Sequence, residues 1–195
     1  MSSKYIAEQL VESQRILAAM RSNSGLVLCV EQIVARCVQS IRQGGKILFA
    51  GNGGSAADAQ HMAGEFVSRF EFEREGLPAV ALTTDTSILT AIGNDYGYEN
   101  LFSRQIQALG RPGDIIVGYS TSGRSPNILR AFETARAAQM VCVGLTGDRG
   151  GPMVELCDYL LEVPSSHTPK IQEAHLVLGH IICGSVEREL FSRTA

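Results

Sequence analysis

The feature that most constrains this chain is the stretch 46–65, where a short apolar segment stops at a glycine cluster and continues as a helix. Residues 46–50 predict a buried strand, and Ser55 stands where a helix N-cap is expected. The glycine-rich residues 51–54 must turn sharply, and glycine accepts the positive φ angles of such a turn. A helix that begins here directs free N–H groups and its positive dipole end at the turn. The sequence therefore predicts an anion site suited to phosphate.

Two residues with acid–base or metal-binding chemistry follow in the same predicted helix. His61 and Glu65 are four residues apart, so they lie about 40° apart around the helix axis, on one face. An isolated pair of this kind is most simply interpreted as solvent-exposed. Its position directly behind the glycine loop favours instead a pair that handles protons or a metal ion.

The glycine loop also satisfies the dinucleotide fingerprint, through Gly51, Gly53 and Ala56. That fingerprint expects an acidic residue about 20 positions further on, at the end of a second strand. The next strand-like segment ends only at Asp85, which is too late. A nicotinamide-dependent oxidoreductase is therefore the weaker alternative.

Length and composition favour one domain over residues 1–195. The chain has 195 residues, of which 45% are hydrophobic, which suits one full core and would be cramped for two. We expect residues 1–44 to form N-terminal helices for oligomer packing, and residues 45–195 to form a sheet with crossover helices. The net charge of -3, with no run of Lys or Arg, argues against a nucleic-acid partner.

Targeting signals and cysteines favour a soluble protein of the cytoplasm. The N-terminus lacks the basic start and continuous apolar stretch of a signal peptide. Nowhere do about 18 apolar residues run together, so we expect no membrane partner. The five cysteines are scattered and include no C-x-x-C pair. This usage indicates reduced packing residues in a reducing compartment.

Two amphipathic helices are predicted ahead of the first strand. Apolar residues recur at helical intervals over 3–21 and again over 26–41, where the stripe is broad. A doubly wound sheet does not need both helices, and so wide an apolar stripe needs a partner. We expect these helices to pack against another subunit.

Strand-like and helical segments alternate along the rest of the chain. The predicted strands are 46–50, 78–84, 114–119, 140–145 and 158–163. Asp85 is expected to cap a short helix that ends at Ile92, followed by a loop over 93–97. Strands separated by helical crossovers imply a parallel sheet with helices on both faces and ligands beyond the carboxyl ends of the strands. The predicted fold class is α/β, a three-layer αβα sandwich with a five-stranded parallel sheet, preceded by N-terminal helices.

A second polar loop, Ser120-Thr-Ser-Gly-Arg-Ser125, follows the third predicted strand. Its hydroxyl and N–H groups precede a helix with Pro126 in the first turn, and such groups bind oxyanions. A serine-rich helix cap also explains the sequence, but four hydroxyls in six residues favour binding. The glycine and serine loops can share one ligand if their strands are neighbours.

The last predicted helix, residues 168–190, carries Gln172, Glu173, His175 and His180. A histidine in an apolar helical stripe is more often a core residue than a catalyst. Spacing alone therefore leaves the role of His180 open.

Five motifs together resemble the bacterial phosphoheptose isomerases of the sugar isomerase (SIS) superfamily. They are Gly-Asn-Gly-Gly-Ser-Ala-Ala-Asp-Ala-Gln-His at 51–61, Leu-Thr-Thr-Asp-Thr at 82–86, Ala-Ile-Gly-Asn-Asp-Tyr-Gly at 91–97, Ser-Thr-Ser-Gly at 120–123 and Ile-Gln-Glu-Ala-His at 171–175. The resemblance covers almost the whole chain and implies a flavodoxin-like SIS fold and a homotetramer. It further implies interconversion of D-sedoheptulose 7-phosphate and D-glycero-D-manno-heptose 7-phosphate, the first step toward nucleotide-activated heptose for lipopolysaccharide core or capsule.

The resemblance also implies roles for individual residues. Glu65 and His180 match the acid/base pair of the family. The implied ligands of one zinc ion per subunit are His61, Glu65, Gln172 and His180. The implied sugar-phosphate contacts are Asn52, Gly53, Gly54, Ser55, Glu65, Asn94, Asp95, Ser120, Thr121, Ser122, Ser125 and Gln172.

Aldose–ketose isomerisation needs a base at carbon, a group that serves the oxygens, and stabilisation of an enediolate. We expect Glu65 to move the carbon proton and His180 to perform the other transfer. The alternative is a non-catalytic SIS protein that binds the replication initiator DnaA. Proteins of that group resemble this chain but lack the catalytic glutamate and histidine, both of which are present here.

Two positions depart from the family pattern. Arg124 stands where relatives usually have asparagine in the serine loop, so it is a cation that either reaches the phosphate or faces water. Pro169 replaces a residue that varies among relatives, and we expect of it only a helix start.

Geometry adds a constraint on the zinc site. If Gln172 and His180 lie on one helix, eight residues separate their backbones by about 12 Å along the axis. One ion is hard to reach from both positions. We therefore hypothesise that the terminal helix of one chain completes the pocket of another subunit.

Overall fold

The computed structural model describes residues 2–191 as a sheet covered by helices. In the described part of the chain the helices are α1 (Ser2–Ser22), α2 (Ser24–Arg42), α3 (Gly54–Val67), α4 (Thr86–Tyr96), α5 (Leu101–Leu109), α6 (Pro126–Ala137), α7 (Met153–Leu156) and α8 (Thr168–Phe191), with a 3-10 turn at Tyr98–Asn100. The strands are β1 (Ile47–Ala50), β2 (Ala79–Ala81), β3 (Ile115–Tyr119), β4 (Val141–Thr146) and β5 (Tyr159–Glu162).

The five strands form one parallel sheet in the order β2-β1-β3-β4-β5. This is the flavodoxin-like order, in which the chain reverses direction across the sheet between β1 and β3. Phe49 in β1 is level with Ala81 in β2 and Val117 in β3. The predicted three-layer α/β fold with a five-stranded parallel sheet is confirmed, and β1 and β3 are neighbours.

Alternating strand residues feed two hydrophobic cores, one on each face of the sheet. Phe49 and Val117 point to the face covered by α2, α3 and α8, onto which α1 also packs. Leu48 and Ile116 point to the face covered by α4 to α7. The central strands are buried on both faces, as expected of a parallel sheet between helical layers.

Helices α3 and α8 run parallel, because their contacts advance together along both helices. The contact pairs are Gln172 with Gly54, Gly179 with Met62 and His180 with His61. A Cβ atom at Gly179 would lie 2.5 Å from Sδ of Met62, so the helices approach closely because this position is glycine. The close approach lies directly beside His180.

Two predicted boundaries are wrong. The N-cap of α3 is Gly53 (φ +56), not Ser55, because the chain turns so tightly that Ser55 already lies inside the helix with a buried side chain. Helix α4 does not end at Ile92 but continues to Tyr96, so residues 93–97 are not a loop. It stops only at Gly97, whose φ of +86 suits glycine. The predicted cap of α4 is confirmed, since Asp85 accepts a hydrogen bond from the Ile88 N–H.

A broad apolar surface remains open beside the N-terminal helices. A groove of about 1190 Å³, here called the N-terminal groove, lies between α1, α2 and α8 and includes Leu17, Val27, Val34 and Ile181. Among the described helices, α2 alone is long and apolar enough to cross a membrane. It packs on α8 and β5, and core helices pass the same test.

Candidate active site

The glycine and serine loops meet beyond the ends of β1 and β3. Asn52 and Asn127 exchange two amide hydrogen bonds, of 2.9 and 2.8 Å, and Asn127 is buried. The Tyr98 hydroxyl also donates to Oδ1 of Asn52, over 2.9 Å. These bonds fix the glycine loop against the start of α6, so both loops face one space.

Sequence reasoning missed Asn127 and Tyr98. Asn127 lies in the first turn of α6, and the available signal was an asparagine directly before the apolar residues Ile128 and Leu129. Tyr98 follows a motif segment directly. The sequence does not show that either residue bonds Asn52, because the bonded residues are far apart in the chain. Asn127 and Asn52, for example, are separated by 75 positions.

The serine loop is organised by its own hydroxyls. Ser120 and Ser125 share a hydrogen bond of 2.9 Å between their Oγ atoms, and Ser125 occupies the N-cap position before Pro126. The Thr121 carbonyl accepts from the N–H of Gly147, over 3.1 Å, which ties the loop to the end of β4. The predicted anion-binding groups therefore lie at a helix start with a fixed backbone.

Two other residues of this loop are exposed. Ser122 accepts a hydrogen bond from the backbone N–H of Arg124, over 3.2 Å. The Arg124 side chain lies against Gly151, whose Cβ atom, if present, would be 3.2 Å from Cγ of Arg124. The aliphatic part of the Arg124 side chain thus packs on the neighbouring turn at Gly151, and the residue is exposed to water.

Gln172 lies beside the glycine loop, at the predicted anion end of the site. A Cβ atom at Gly54 would come within 2.7 Å of Nε2 and 2.8 Å of Oε1 of Gln172. Because position 54 is glycine, the side-chain amide of Gln172 in α8 can reach the first turn of α3. In one chain, Gln172 is thus beside the glycine loop.

His61, Glu65 and His180 form a cluster about two to three turns further along α3. Nε2 of His61 is 2.9 Å from Oε1 of Glu65 and 3.3 Å from Nε2 of His180. One ligand atom from each residue lies within 4.8 Å of the others. The rings of His61 and His180 meet edge to face, with centroids 5.0 Å apart. The cluster joins a carboxylate and two imidazoles on the pocket wall.

The donor set of this cluster suits a divalent metal ion. Zn–N bonds of about 2.0–2.1 Å in a tetrahedral site place two nitrogens about 3.3 Å apart. The two Nε2 atoms are separated by 3.3 Å, so their spacing fits such an ion. His61, Glu65 and His180 are therefore able to hold a metal in a site with open positions.

His61, Glu65 and His180 come together within one chain, whereas a site completed by another subunit stays a prediction, because Gln172 is not among them. Because α3 and α8 pack in parallel within one chain, His180 reaches His61 and Glu65 of its own protomer. Gln172 does not join them within one chain, since it contacts Gly54, about 12 Å along α8 from His180. Gln172 as a metal ligand stays a prediction.

Asn94 and Asp95 are exposed in the last turn of α4. The Asn94 amide donates to the Asp95 carboxylate over 2.7 Å. Among the described residues, the hydrogen bond that links this part of the chain to the glycine loop comes from Tyr98. The structure does not bring Asn94 or Asp95 into the His61–Glu65–His180 cluster.

Two titratable groups near the cluster have shifted pKa values, the half-buried Asp58 and the fully buried His175. Asp58 lies one turn before His61; burial raises its pKa to about 6, although the positive charge of His61 opposes the shift. Burial lowers the pKa of His175 to about 4, although a hydrogen bond of 3.2 Å to the Thr146 carbonyl opposes this shift. His175 is therefore a neutral core histidine, whereas His180 is open to the pocket.

Comparisons with known proteins agree with this geometry. The family model described as SIS domain matches residues 10–147. The phosphoheptose isomerase of Burkholderia pseudomallei strain 1710b is 68% identical over 189 residues, covering 97% of this chain and 96% of that protein. The phosphoheptose isomerase of Aneurinibacillus thermoaerophilus is 56% identical over 187 residues, covering 96% and 94%.

A solved structure is similar over the same range. The phosphoheptose isomerase from Neisseria gonorrhoeae superposes with a TM-score of 0.90 at 43% identity, covering 96% of this chain and 99% of that one. The similarity thus includes α3, α8 and both polar loops. This chain belongs to the phosphoheptose isomerase family of SIS-domain proteins.

Proposed function

We propose that this protein is an aldose–ketose isomerase that interconverts D-sedoheptulose 7-phosphate and D-glycero-D-manno-heptose 7-phosphate. The observation that carries the proposal is the convergence of Glu65 and His180, whose ligand atoms lie within 4.8 Å of each other in one chain. Relatives that carry the name phosphoheptose isomerase at up to 68% identity support it. The product would enter the synthesis of nucleotide-activated heptose for lipopolysaccharide or capsule.

The roles of the pair follow from the chemistry of the reaction. A proton must move between neighbouring carbons while the oxygens on those carbons exchange theirs. We assign the carbon proton to the Glu65 carboxylate and transfer at oxygen to the His180 imidazole. His61 orients Glu65 through the contact of 2.9 Å.

A bound zinc ion would be held by His61, Glu65 and His180. When bound, it would polarise the substrate oxygens as a Lewis acid and stabilise negative charge. An open ligand position fits such a role, because catalytic zinc sites keep room for substrate.

The spacing between the anion end and the His61–Glu65–His180 cluster supports a long sugar phosphate. The anion end, at Gly54 and Gln172, is separated from His61 by seven residues of α3, or about 10 Å along the axis. A phosphate at one end therefore leaves room for a carbon chain before the reacting carbons. We propose that the anion end and its surroundings contact the substrate through Asn52, Gly53, Gly54, Ser55, Asn94, Asp95, Ser120, Thr121, Ser122, Ser125 and Gln172.

A role restricted to binding DnaA is not favoured. Such a protein has no need of Glu65 and His180, and here both are present and close together. Function follows the site and not the fold, so the intact acid–base pair favours catalysis.

We also propose a homotetramer in the cytoplasm. The N-terminal groove, and exposed apolar residues of α1 such as Ile6 and Leu10, offer a surface for other copies of the chain. All five cysteines are unpaired, which suits a reducing compartment.

The test is turnover of sedoheptulose 7-phosphate by the purified protein, compared with Glu65→Gln and His180→Gln. Each positioned acid–base group typically contributes about 10² to 10⁴-fold, so each variant should lose that much in kcat. Turnover that survives both substitutions would refute the assigned roles. A wild-type protein without turnover would refute the proposed reaction.

A further inference from the structure

A buried ion pair joins the segment that follows α3 to α8. Nε of Arg74 is 2.9 Å from Oε1 of Glu187, and the two side chains are 1% and 0% exposed. The Glu187 carboxylate also accepts the backbone N–H groups of Phe70, over 2.9 Å, and Glu71, over 2.8 Å. One buried carboxylate therefore holds both a guanidinium and the turn that follows α3.

Arg74 satisfies carbonyl groups at the end of α3. Its Nη2 donates to the Glu65 carbonyl over 2.8 Å, and its Nη1 donates to the Phe66 carbonyl over 2.7 Å. The last carbonyls of a helix have no partner within the helix, and a cation there also complements the helix dipole. Arg74 thus fixes the backbone of Glu65 itself.

The same turn supplies a wall for His180. The rings of Phe70 and His180 are tilted by 35° with centroids 5.4 Å apart. A Cβ atom at Gly184 would lie 3.0 Å from Cε1 of Phe70, so the ring is confined between α8 and the imidazole. The orientation of His180 therefore depends on the position of Phe70.

From these contacts we infer that Arg74 and Glu187 are positioning residues, which orient Glu65 through its backbone and His180 through the Phe70 ring. The inference rests on the proposed function for its effect on turnover. Its effect on the His61–Glu65–His180 geometry is independent of the substrate. An ion pair placed for stability alone has no need to bond both the Glu65 carbonyl and the backbone of Phe70, whose ring lies against His180.

The test uses three variants of the full chain. Glu187→Gln keeps the size of the side chain and removes its charge, and Phe70→Leu removes the ring while leaving the ion pair intact. The control is Glu71→Gln, which breaks the neighbouring ion pair of Glu71 with Arg188, whose side chains are 44% and 65% exposed. Turnover and the Kd for Zn²⁺, measured by competition with a chelating dye, are the readouts.

We expect Glu187→Gln and Phe70→Leu each to lower kcat and Zn²⁺ affinity by about 10- to 100-fold, the usual effect of losing a group that orients a metal ligand. KM should change far less, because the anion end is untouched. Glu71→Gln should match the wild type in both readouts.

Folded Glu187→Gln and Phe70→Leu proteins with wild-type kcat and Zn²⁺ affinity would overturn the inference. If Glu187→Gln does not fold, Arg74→Lys takes its place, since lysine keeps the charge but loses the fork of donors to the Glu65 and Phe66 carbonyls. A wild type without turnover, combined with weakened Zn²⁺ binding in both variants, would refute the proposed reaction and uphold the positioning role.

Discussion

His175 and His180 show how two histidines of one helix acquire different surroundings. His180 is partly exposed and faces Glu65 and His61, whereas His175 is fully buried under the end of β4. Nδ1 of His175 has no hydrogen-bond partner among the described residues. A buried imidazole of this kind resists protonation, because the charged form would lose its hydration.

This burial predicts a specific dependence of stability on pH. The pKa of His175 is lowered to about 4 in the folded protein from an ordinary value of 6.5. As pH falls through 6.5 toward 4, the unfolded chain takes up a proton that the folded protein does not, so stability is lost over that window. The difference corresponds to about 3 kcal/mol. Urea unfolding at pH 7 and pH 4.5 should show a smaller loss for His175→Gln than for the wild type.

His167→Gln provides the control for this measurement, because His167 is exposed. It should keep the wild-type dependence on pH. Equal losses of stability in the wild type and in His175→Gln would contradict the prediction.

At the scale of elements, the site depends on how closely α3 and α8 approach. Gly179 permits this approach, and a methyl group there would meet the buried side chain of Met62. We expect Gly179→Ala to separate the helices slightly, to cost about 1–3 kcal/mol by overpacking and to lower kcat about tenfold or more. Chemical denaturation and steady-state kinetics measure the two effects.

Gly64→Ala is the matched control, since a Cβ atom at Gly64 meets nothing within 4 Å. It should raise stability by about 0.5–1 kcal/mol through helix propensity and leave kcat unchanged. A fully active Gly179→Ala protein would show that the spacing of the helices is not critical.

The elements themselves were largely predictable from the sequence. Apolar runs between glycine and serine loops predict the five strands, because a buried parallel strand must be apolar on both faces. The local sequence pattern was wrong at Gly93, where it predicted the start of a loop. A helix tolerates a glycine when the neighbouring residues pack well, and α4 continues through this position. The local sequence pattern also does not predict that Asn52 bonds Asn127 or that His180 contacts His61. Those contacts depend on the packing of segments that are distant in the sequence.

At the scale of the whole molecule, the N-terminal groove predicts association. Val27 lies in this groove and is 42% exposed, so a charge there would be buried if another copy of the chain covers it. We expect Val27→Glu to shift the protein toward smaller species in analytical ultracentrifugation. Burial of an unpaired carboxylate is costly, and dissociation relieves it.

Val154→Glu is the comparison variant, because Val154 is 57% exposed in α7, on the opposite face of the sheet. It should leave the sedimentation of the protein unchanged. If Val27→Glu sediments like the wild type, the groove is not where copies of the chain associate.

The placement of His180 in the last helix has a consequence for synthesis on the ribosome. The last strand of the described residues ends at Glu162, so a nascent chain can pair its whole sheet and form both polar loops before α8 has left the ribosomal exit tunnel. Such an intermediate would have the glycine and serine loops but neither Gln172 nor His180. The protein therefore acquires its chemistry only when its last helix docks, and premature termination yields a partly folded chain that cannot isomerise a sugar.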